Sequence, residues 1–278
     1  MRKIVRRIAA GALSAVALMS FSACLGSTGN TLVQFRAAVA GPTDAVAGTS
    51  YSFTTHTGWH VVLSTATLHV GALYLTQVVT TSGGGPAPCT AQGTYVGQVT
   101  TLQDASSPVV GINVNLLSPA LQYFLEMGEG TSITARSAQV WLTSVQVDQD
   151  TDPTAILSID GVADKGGQSI PFDGDIHISS SNRLVPPTDA TKPGSNPICQ
   201  QRIVSPIPVD LVPRSSGVLL MRVDPTLLFE VDFSTLPKDP KNPQKYQFAD
   251  NSNDTASSIL YQALHNSKVY QFSWEDSP

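Results

Sequence analysis

Three of the five histidines, His56, His60 and His69, fall within fourteen residues of the stretch "FTTHTGWHVVLSTATLHVGALYL", and two of them flank Gly58 and Trp59. Imidazoles on strands, with carboxylate or thioether help, can bind copper or zinc. Spacing limits what they can do together. Four residues on a straight strand put His56 and His60 roughly 13 Å apart, beyond shared coordination. Only a tight turn at Thr57 and Gly58 could fold them onto one ion, and glycine permits such a turn. His60 and His69 have opposite parity, so a regular strand sends them to opposite faces, and one bulge between them would reverse that. His177 alternates with Ile176 and Ile178 and is expected to face solvent or the opposite sheet. His56 and His60 are therefore the candidate metal ligands. The simpler expectation is no cofactor, with each histidine a separate polar residue on a strand and Trp59 a core or sheet-face anchor.

Other residue sets carry less. Asp148, Asp150 and Asp152 alternate as in calcium loops, but the sixth and twelfth positions that an EF-hand gives to glycine and glutamate hold Pro153 and Ile159. An acidic loop between strands is the better reading. The run "DNSNDT" fails in the same way, with Tyr261 at the twelfth position, and Asp254 reads as a helix cap. None of GxSxG, HExxH, SxxK, GxGxxG or GxxxxGK[ST] occurs. The four glutamates, Glu126, Glu129, Glu230 and Glu275, are scattered, so a hydrolytic carboxylate pair could arise only by assembly in space. The expectation is a protein that is not an enzyme, with an envelope hydrolase built on such a pair as a further alternative.

The elements that must position these residues are mostly strands. Charged residues make up 13% of the chain, and Thr, Ser, Val, Gly and Pro are abundant, which favours strands over helices. "TLVQFRAAVAG" reads as a first strand and "SYSFTTH" as a second. "WHVVLSTATLHVGALYLTQVV" is too long for one strand, so a bend or bulge is expected near Ser64 and Thr65 or at Gly71. "GTYVGQVTTL", "PVVGINVNLL", "TSITARSAQVWLTSVQVD", "GVLLMRVD" and "KVYQFSW" read as further strands. "TAILSIDGVADKGGQSIPFDGDIHISS" is a hairpin turning at "DKGG". Pro206 and Pro208 make "QQRIVSPIPVDLV" an edge strand or an irregular extended segment. "SPALQYFLEMGEG" carries helix signals in Ser118, Pro119 and Gly128. A second helix is expected over "TASSILYQALHN", capped by Asp254, with Ile259, Leu260, Ala263 and Leu264 on its apolar face.

The ends bear on location. Arg2, Lys3, Arg6 and Arg7 precede the apolar run "IAAGALSAVALMSF", which is too short for a stable membrane span and describes a secretory signal peptide. "FSAC", Phe21 to Cys24, then resembles the bacterial lipobox. Phe21 departs from the usual leucine, whereas Ser22, Ala23 and Cys24 fit. The resemblance implies that Cys24 is lipidated and becomes the first mature residue, and multiple acyl chains anchor stably where one holds only marginally. The alternative is ordinary signal cleavage with Cys24 a free thiol. Leu25, in place of an inner-membrane retention aspartate, points to the outer membrane, facing the periplasm or the cell surface.

Loss of residues 1–23 leaves 12 basic against 21 acidic residues, a net charge of −9. Without Lys/Arg clusters such a chain has no electrostatic footprint for nucleic acid. In an oxidising compartment the two other cysteines, Cys89 and Cys199, pair most simply as a disulfide, worth up to about 4.7 kcal/mol in the chain-entropy account. The rival, thiolates joining histidines at a metal, lacks CxxC or CxxH spacing. In residue content "HTGWH" also resembles sites of exported copper-binding β-proteins of the methanobactin-associated and related methanotroph kind, built from histidines and an oxidised tryptophan. The paired-cysteine pattern of the methanobactin-associated family is absent. That resemblance implies His56 and His60 as copper ligands and nothing further.

The expected protein is all-β: a signal peptide over 1–23, a lipidated tether over 24–30, and a single-domain, mostly antiparallel β-sandwich over 31–278 with one or two short helices. Its expected role is a non-catalytic binding or interaction module of the bacterial cell envelope, held to the membrane by lipid and meeting an envelope protein or polymer. The alternative is a periplasmic copper- or zinc-binding protein.

Overall fold

In a computed structural model of the chain, the described residues are 31–78, 95–99, 111–144, 152–178, 201–250 and 254–276. The chain divides into Met1–Asn30 and Thr31–Pro278, and every described residue belongs to the second part. Cys24, Cys89 and Cys199, with the signal peptide and the tether, lie outside the described residues.

In chain order the strands are β1 (Leu32–Ala40), β2 (Tyr51–Thr54), β3 (His60–Val70), β4 (Ala72–Thr76), β5 (Tyr95–Val99), β6 (Ile112–Asn115), β7 (Gln122–Tyr123), β8 (Gly128–Thr131), β9 (Ala135–Trp141), β10 (Ala155–Lys165), β11 (Gln168–His177), β12 (Ile203–Leu211), β13 (Val218–Val223), β14 (Tyr246–Phe248) and β15 (Tyr270–Glu275). The described α-helix is α1 (Thr255–Leu264). The fold is all-β, as composition and alternation indicate. One sheet runs β12-β9-β4-β5-β8-β1-β13-β15, with β7 also on β1; the other runs β14-β11-β10-β3-β2, with β6 also on β3. Most pairs are antiparallel, but β1 with β13 and β11 with β14 are parallel.

Inward residues of both sheets form one core. Phe35, Val39, Leu73 and Leu75 of the larger sheet and Val61, Leu63, Leu68, Ile159 and Phe172 of the smaller are buried together. Completely burying a side chain of this size stabilises the fold by about 1.5–3 kcal/mol. Over the smaller sheet, Phe172, Phe229, Phe233 and Phe248 form an aromatic cluster with centroids 5.1 to 6.4 Å apart. Its member Phe229 follows the 3-10 turn Pro225–Leu228, and Phe233 opens a second one, Phe233–Thr235.

The long third strand breaks at both places where the sequence demands it. Ser64 is the extra residue of a bulge, because Asp160 pairs with Thr65 while Gly161 pairs with Leu63. At Gly71 the chain leaves the smaller sheet as β3 and enters the larger as β4, its amide donating to the Trp141 carbonyl at 2.7 Å. The β10–β11 hairpin closes at Gly166 and Gly167, with φ of 59° and 84°, the backbone a type I′ turn needs. Pro206 and Pro208 sit on β12, an edge strand with two register breaks against β9.

The helix expected over 118–128 does not form. Ser118 accepts the Ala120 amide at 3.3 Å as a cap would, yet the chain continues extended into β7 and β8. Both strands lie on the same side of β1: β8 pairs with Leu32–Phe35 and β7 with Ala38 and Val39. A helix there would leave the second half of that edge unpaired. Leu125, which a helix would need to bury, is 89% exposed, whereas Leu121 and Tyr123 pack on Ala38, Ala40, Val218 and Leu220. The second helix forms as expected: Asp254 accepts the Ser257 amide at 2.6 Å, and α1 buries Ala256, Leu260, Tyr261 and Leu264.

Candidate functional site

The histidine turn is tight and internally bonded. The Thr55 amide donates to the Trp59 carbonyl and the Gly58 amide to the Thr55 carbonyl, both at 2.9 Å. Gly58 has φ of 84°, which a side chain would resist. Thr55 Oγ1 accepts from the Trp59 amide at 3.0 Å and lies 2.8 Å from Thr57 Oγ1, which itself donates to the Val231 carbonyl. The hydroxyl proton of Thr55 therefore goes to Thr57. Lys165 donates to the Thr57 carbonyl at 2.6 Å, and Trp59 is buried against Phe233.

His56 is held from outside the turn. Glu230 accepts its amide at 2.9 Å and its Nδ1–H at 2.7 Å, so one carboxylate clasps both groups. An ionised carboxylate only accepts, so Nδ1 carries the proton and Nε2 of the neutral ring keeps its lone pair. His56 itself is 89% exposed. Asp250 clasps His177 in the same way, at 2.7 Å to the amide and 2.8 Å to Nδ1. Residues 229–233, "FEVDF", alternate so that Phe229 and Phe233 enter the core while Glu230 reaches His56 and Asp232 turns outward. The Ser234 hydroxyl holds the Asp232 carboxyl below its usual range against a desolvation that would raise it; the Ser234 amide, the Lys165 charge and the Trp59 indole lower it further.

His60 is exposed at the start of β3, in register with Thr54 on one side and Asp164 on the other. The bulge at Ser64 does put His60 and His69 on the same outward face, but they stand nine positions apart, roughly 26–30 Å along the strand. His69 Nδ1 meets Asn113 Oδ1 at 2.9 Å. Among the described residues no group of three or more His, Cys, Asp or Glu side chains is placed to hold a metal ion.

The carboxylates disperse likewise. Glu129 accepts from Gln34, Glu230 from His56, and Glu275 lies 3.8 Å from Arg222. Asp160 and Asp173 are cross-strand neighbours, but Lys245 bridges them. Burial alone would raise the Asp160 carboxyl; hydrogen bonds from Lys245 and Ser64, with the Lys245 charge, outweigh it and hold the group low. A general acid requires the opposite displacement. Asp152, expected in an acidic loop between strands, is buried. It accepts Arg202 Nε at 3.0 Å, the Thr143 hydroxyl at 2.5 Å and the Thr154 amide at 2.9 Å.

A different arrangement arises on the larger sheet, from register rather than sequence spacing. Gln139 of β9 pairs with Tyr74 of β4, Tyr74 with Gln98 of β5, Gln98 with Glu129 of β8, and Glu129 with Gln34 of β1. Five polar or amphipathic side chains thus form a row across five adjacent strands, on the face opposite the core residues Val33, Phe35, Leu73 and Leu75. One end, Gln139 and Tyr74, is buried. The other end opens into a cavity of about 710 Å³ whose lining includes Leu32, Gln34, Tyr95, Gln98, Glu129 and Thr131. Gln34 Nε2 donates to Glu129 Oε1 at 3.3 Å. Tyr95 packs edge-tilted on Tyr74 at 5.2 Å and keeps 40% of its surface exposed. The oxygen of the Thr131 hydroxyl is buried, with no hydrogen-bond partner among the described residues. Sequence reading passes over this row because its members lie on five separate strands; the outward parity of Gln34 and Gln98 within their strands is the only local signal.

No protein-family model matches the chain, and no curated protein matches it. Among solved structures it is similar to MbnP from Methylosinus trichosporium, at 12% identity and a TM-score of 0.41, over 88% of this chain and 99% of that one. A likeness that loose bears on neither the fold nor the site. No helix among the described residues is long and apolar enough to cross a membrane.

Proposed function

We propose that this protein is an exported, non-catalytic binding module of the bacterial cell envelope, anchored by lipid at Cys24, that engages an envelope partner through the cavity at the open end of the Gln34–Glu129–Gln98 row. The observation that carries the reading is the cavity itself. Its volume falls within the range of small-ligand sites, and its polar groups stand on paired strands rather than on loops. The lipobox resemblance and the acidic mature chain support an envelope setting without nucleic acid. A photo-reactive amino acid placed at Gln98 in living cells is expected to crosslink an envelope component, and the same probe at His60, on the other sheet, is not. Equal labelling at both positions overturns the reading. Cys24→Ser is expected to lose the acyl mass and release the protein from the membrane; protein that stays anchored without acyl mass would overturn the anchor.

The second reading, copper or zinc handling, is favoured by the Glu230 clasp, because metal-binding histidines commonly donate their other ring nitrogen to a carboxylate. His56 Nε2 would be one ligand and His60 a second. Metal analysis of untagged protein tests it: stoichiometric copper or zinc that is lost in His56→Ala and His60→Ala supports this reading, and metal-free protein overturns it.

A further inference from the structure

We infer that the cavity on the larger sheet takes an uncharged, polyhydroxylated ligand, a segment of a neutral glycan, lying along the Gln34–Glu129–Gln98 row. This rests on the binding-module reading and specifies the ligand's chemistry.

Three features of the lining select that class. The first is its hydrogen-bonding pattern. Each carboxamide offers two donors and an acceptor, Glu129 offers acceptors, and Thr131 offers a hydroxyl of either sense. A sugar hydroxyl also donates and accepts, so a row that alternates carboxamide, carboxylate and carboxamide matches a run of hydroxyls better than it matches any ligand of single polarity. The Gln98 carboxamide makes no hydrogen bond among the described residues and is only half-buried, so its capacity is left for a ligand. The second feature is the charge balance. Among the described residues no lysine or arginine lines the cavity and its one charged side chain is Glu129, which disfavours phosphates, uronates and other anions. A cation would find a single carboxylate already engaged by Gln34. The third feature is apolar. Tyr95 and Leu32 border the row with exposed apolar surface, and a tyrosine face with a polar tip suits the C–H face of a sugar ring.

The geometry suits an extended ligand. Adjacent strands stand about 4.8 Å apart, so the open part of the row covers roughly 10 Å perpendicular to the strands. Three paired strands hold these side chains, so little ordering is needed on binding.

The test is direct binding to the full-length lipidated protein in a detergent without sugar headgroups, followed by NMR or calorimetry. The probes are maltohexaose, cellohexaose and chitohexaose as neutral oligosaccharides, hexagalacturonate as an anionic one, and a peptidoglycan stem pentapeptide as a non-sugar envelope ligand. At least one neutral hexasaccharide is expected to bind saturably and hexagalacturonate is not. Gln98→Ala and Tyr95→Ala should each weaken binding roughly three- to tenfold, the loss of one neutral contact, at unchanged melting temperature. Absence of binding by all three neutral hexasaccharides at millimolar concentration overturns the glycan assignment, as does preference for the anionic hexamer. Binding of the pentapeptide alone, lost in Gln98→Ala, overturns the glycan while leaving the binding module standing. Failure of every probe, together with no specific crosslink from Gln98 in cells, overturns both.

Discussion

The histidine turn and the cross-strand row are both built from polar side chains at the surface of a sheet, yet they differ in what remains free. In the turn, Thr55, Thr57, the His56 amide and Nδ1, and the Lys165 ammonium are all spent on one another or on the segment around Glu230. In the row, Glu129 and Gln34 share one bond of 3.3 Å, and Gln98 makes no hydrogen bond among the described residues and lines a cavity. What separates them is a third segment that supplies partners: residues 230 and 231 close the histidine turn, as Lys245 closes the Asp160–Asp173 pair, whereas no described segment does so for Gln98.

Substitutions can break this contrast between spent and unspent polar groups. The largest effect is expected at the most completely spent carboxylate. Asp152→Ala removes the buried acceptor shared by Arg202 Nε, the Thr143 hydroxyl and the Thr154 amide and should cost about 3–5 kcal/mol, read as a lowered urea midpoint. Glu230→Ala, which strips the His56 amide and ring of a shared acceptor, should cost about 1–2 kcal/mol in the same measurement. Glu129→Ala should move stability by no more than about 0.5 kcal/mol while weakening groove binding; a loss as large as that of Glu230→Ala would erase the contrast.

The smallest effect is one of pH. Asp160 is held below its ordinary value of 3.8, so its contribution is present above that value and fades as pH falls through the lowered one. Lys245 is held above 10.5, first by its hydrogen bond to Asp160, so its contribution is present below 10.5 and fades as pH rises through the raised value. Lys245→Met should therefore flatten both flanks of the stability profile, most visibly the acid flank below about pH 4, in thermal melts across pH.

Much of the fold was legible because it rests on local signals. The break at Ser64, the crossing at Gly71, the Gly166–Gly167 hairpin, the proline-bearing edge strand and the Asp254 cap each follow from residues within one short window. The region after Ser118 was misread because its cap, its proline and its closing glycine are genuine helix signals, overruled by the unpaired edge of β1 some eighty residues earlier. The site divided along the same line. His56 and His60 stood out by spacing, but Glu230, which holds His56, lies 174 residues away. Asp152 read only as part of an acidic loop for the same reason: Arg202, fifty positions on, gives no sign in the local sequence that it will be buried. The row from Gln139 to Gln34 has no linear motif at all.

The bulge at Ser64 gives β3 two phases. Val61 and Leu63 face the core on odd numbers, Ala66 and Leu68 on even ones, and Ser64 is where the count slips. Deleting that one residue would merge the phases. Leu63 and Thr65 would then follow each other directly opposite Gly161 and Asp160, and plain alternation would keep Val61, Leu63, Ala66 and Leu68 on the core face with His60 and His69 outward, so the strand would lose its local bend and not its buried face. Ser64 is thus the extra residue that the core does not count: it stands on the exposed side, donates its hydroxyl to Asp160, and bends β3 between the stretch that carries the histidine turn and the stretch that feeds the larger sheet.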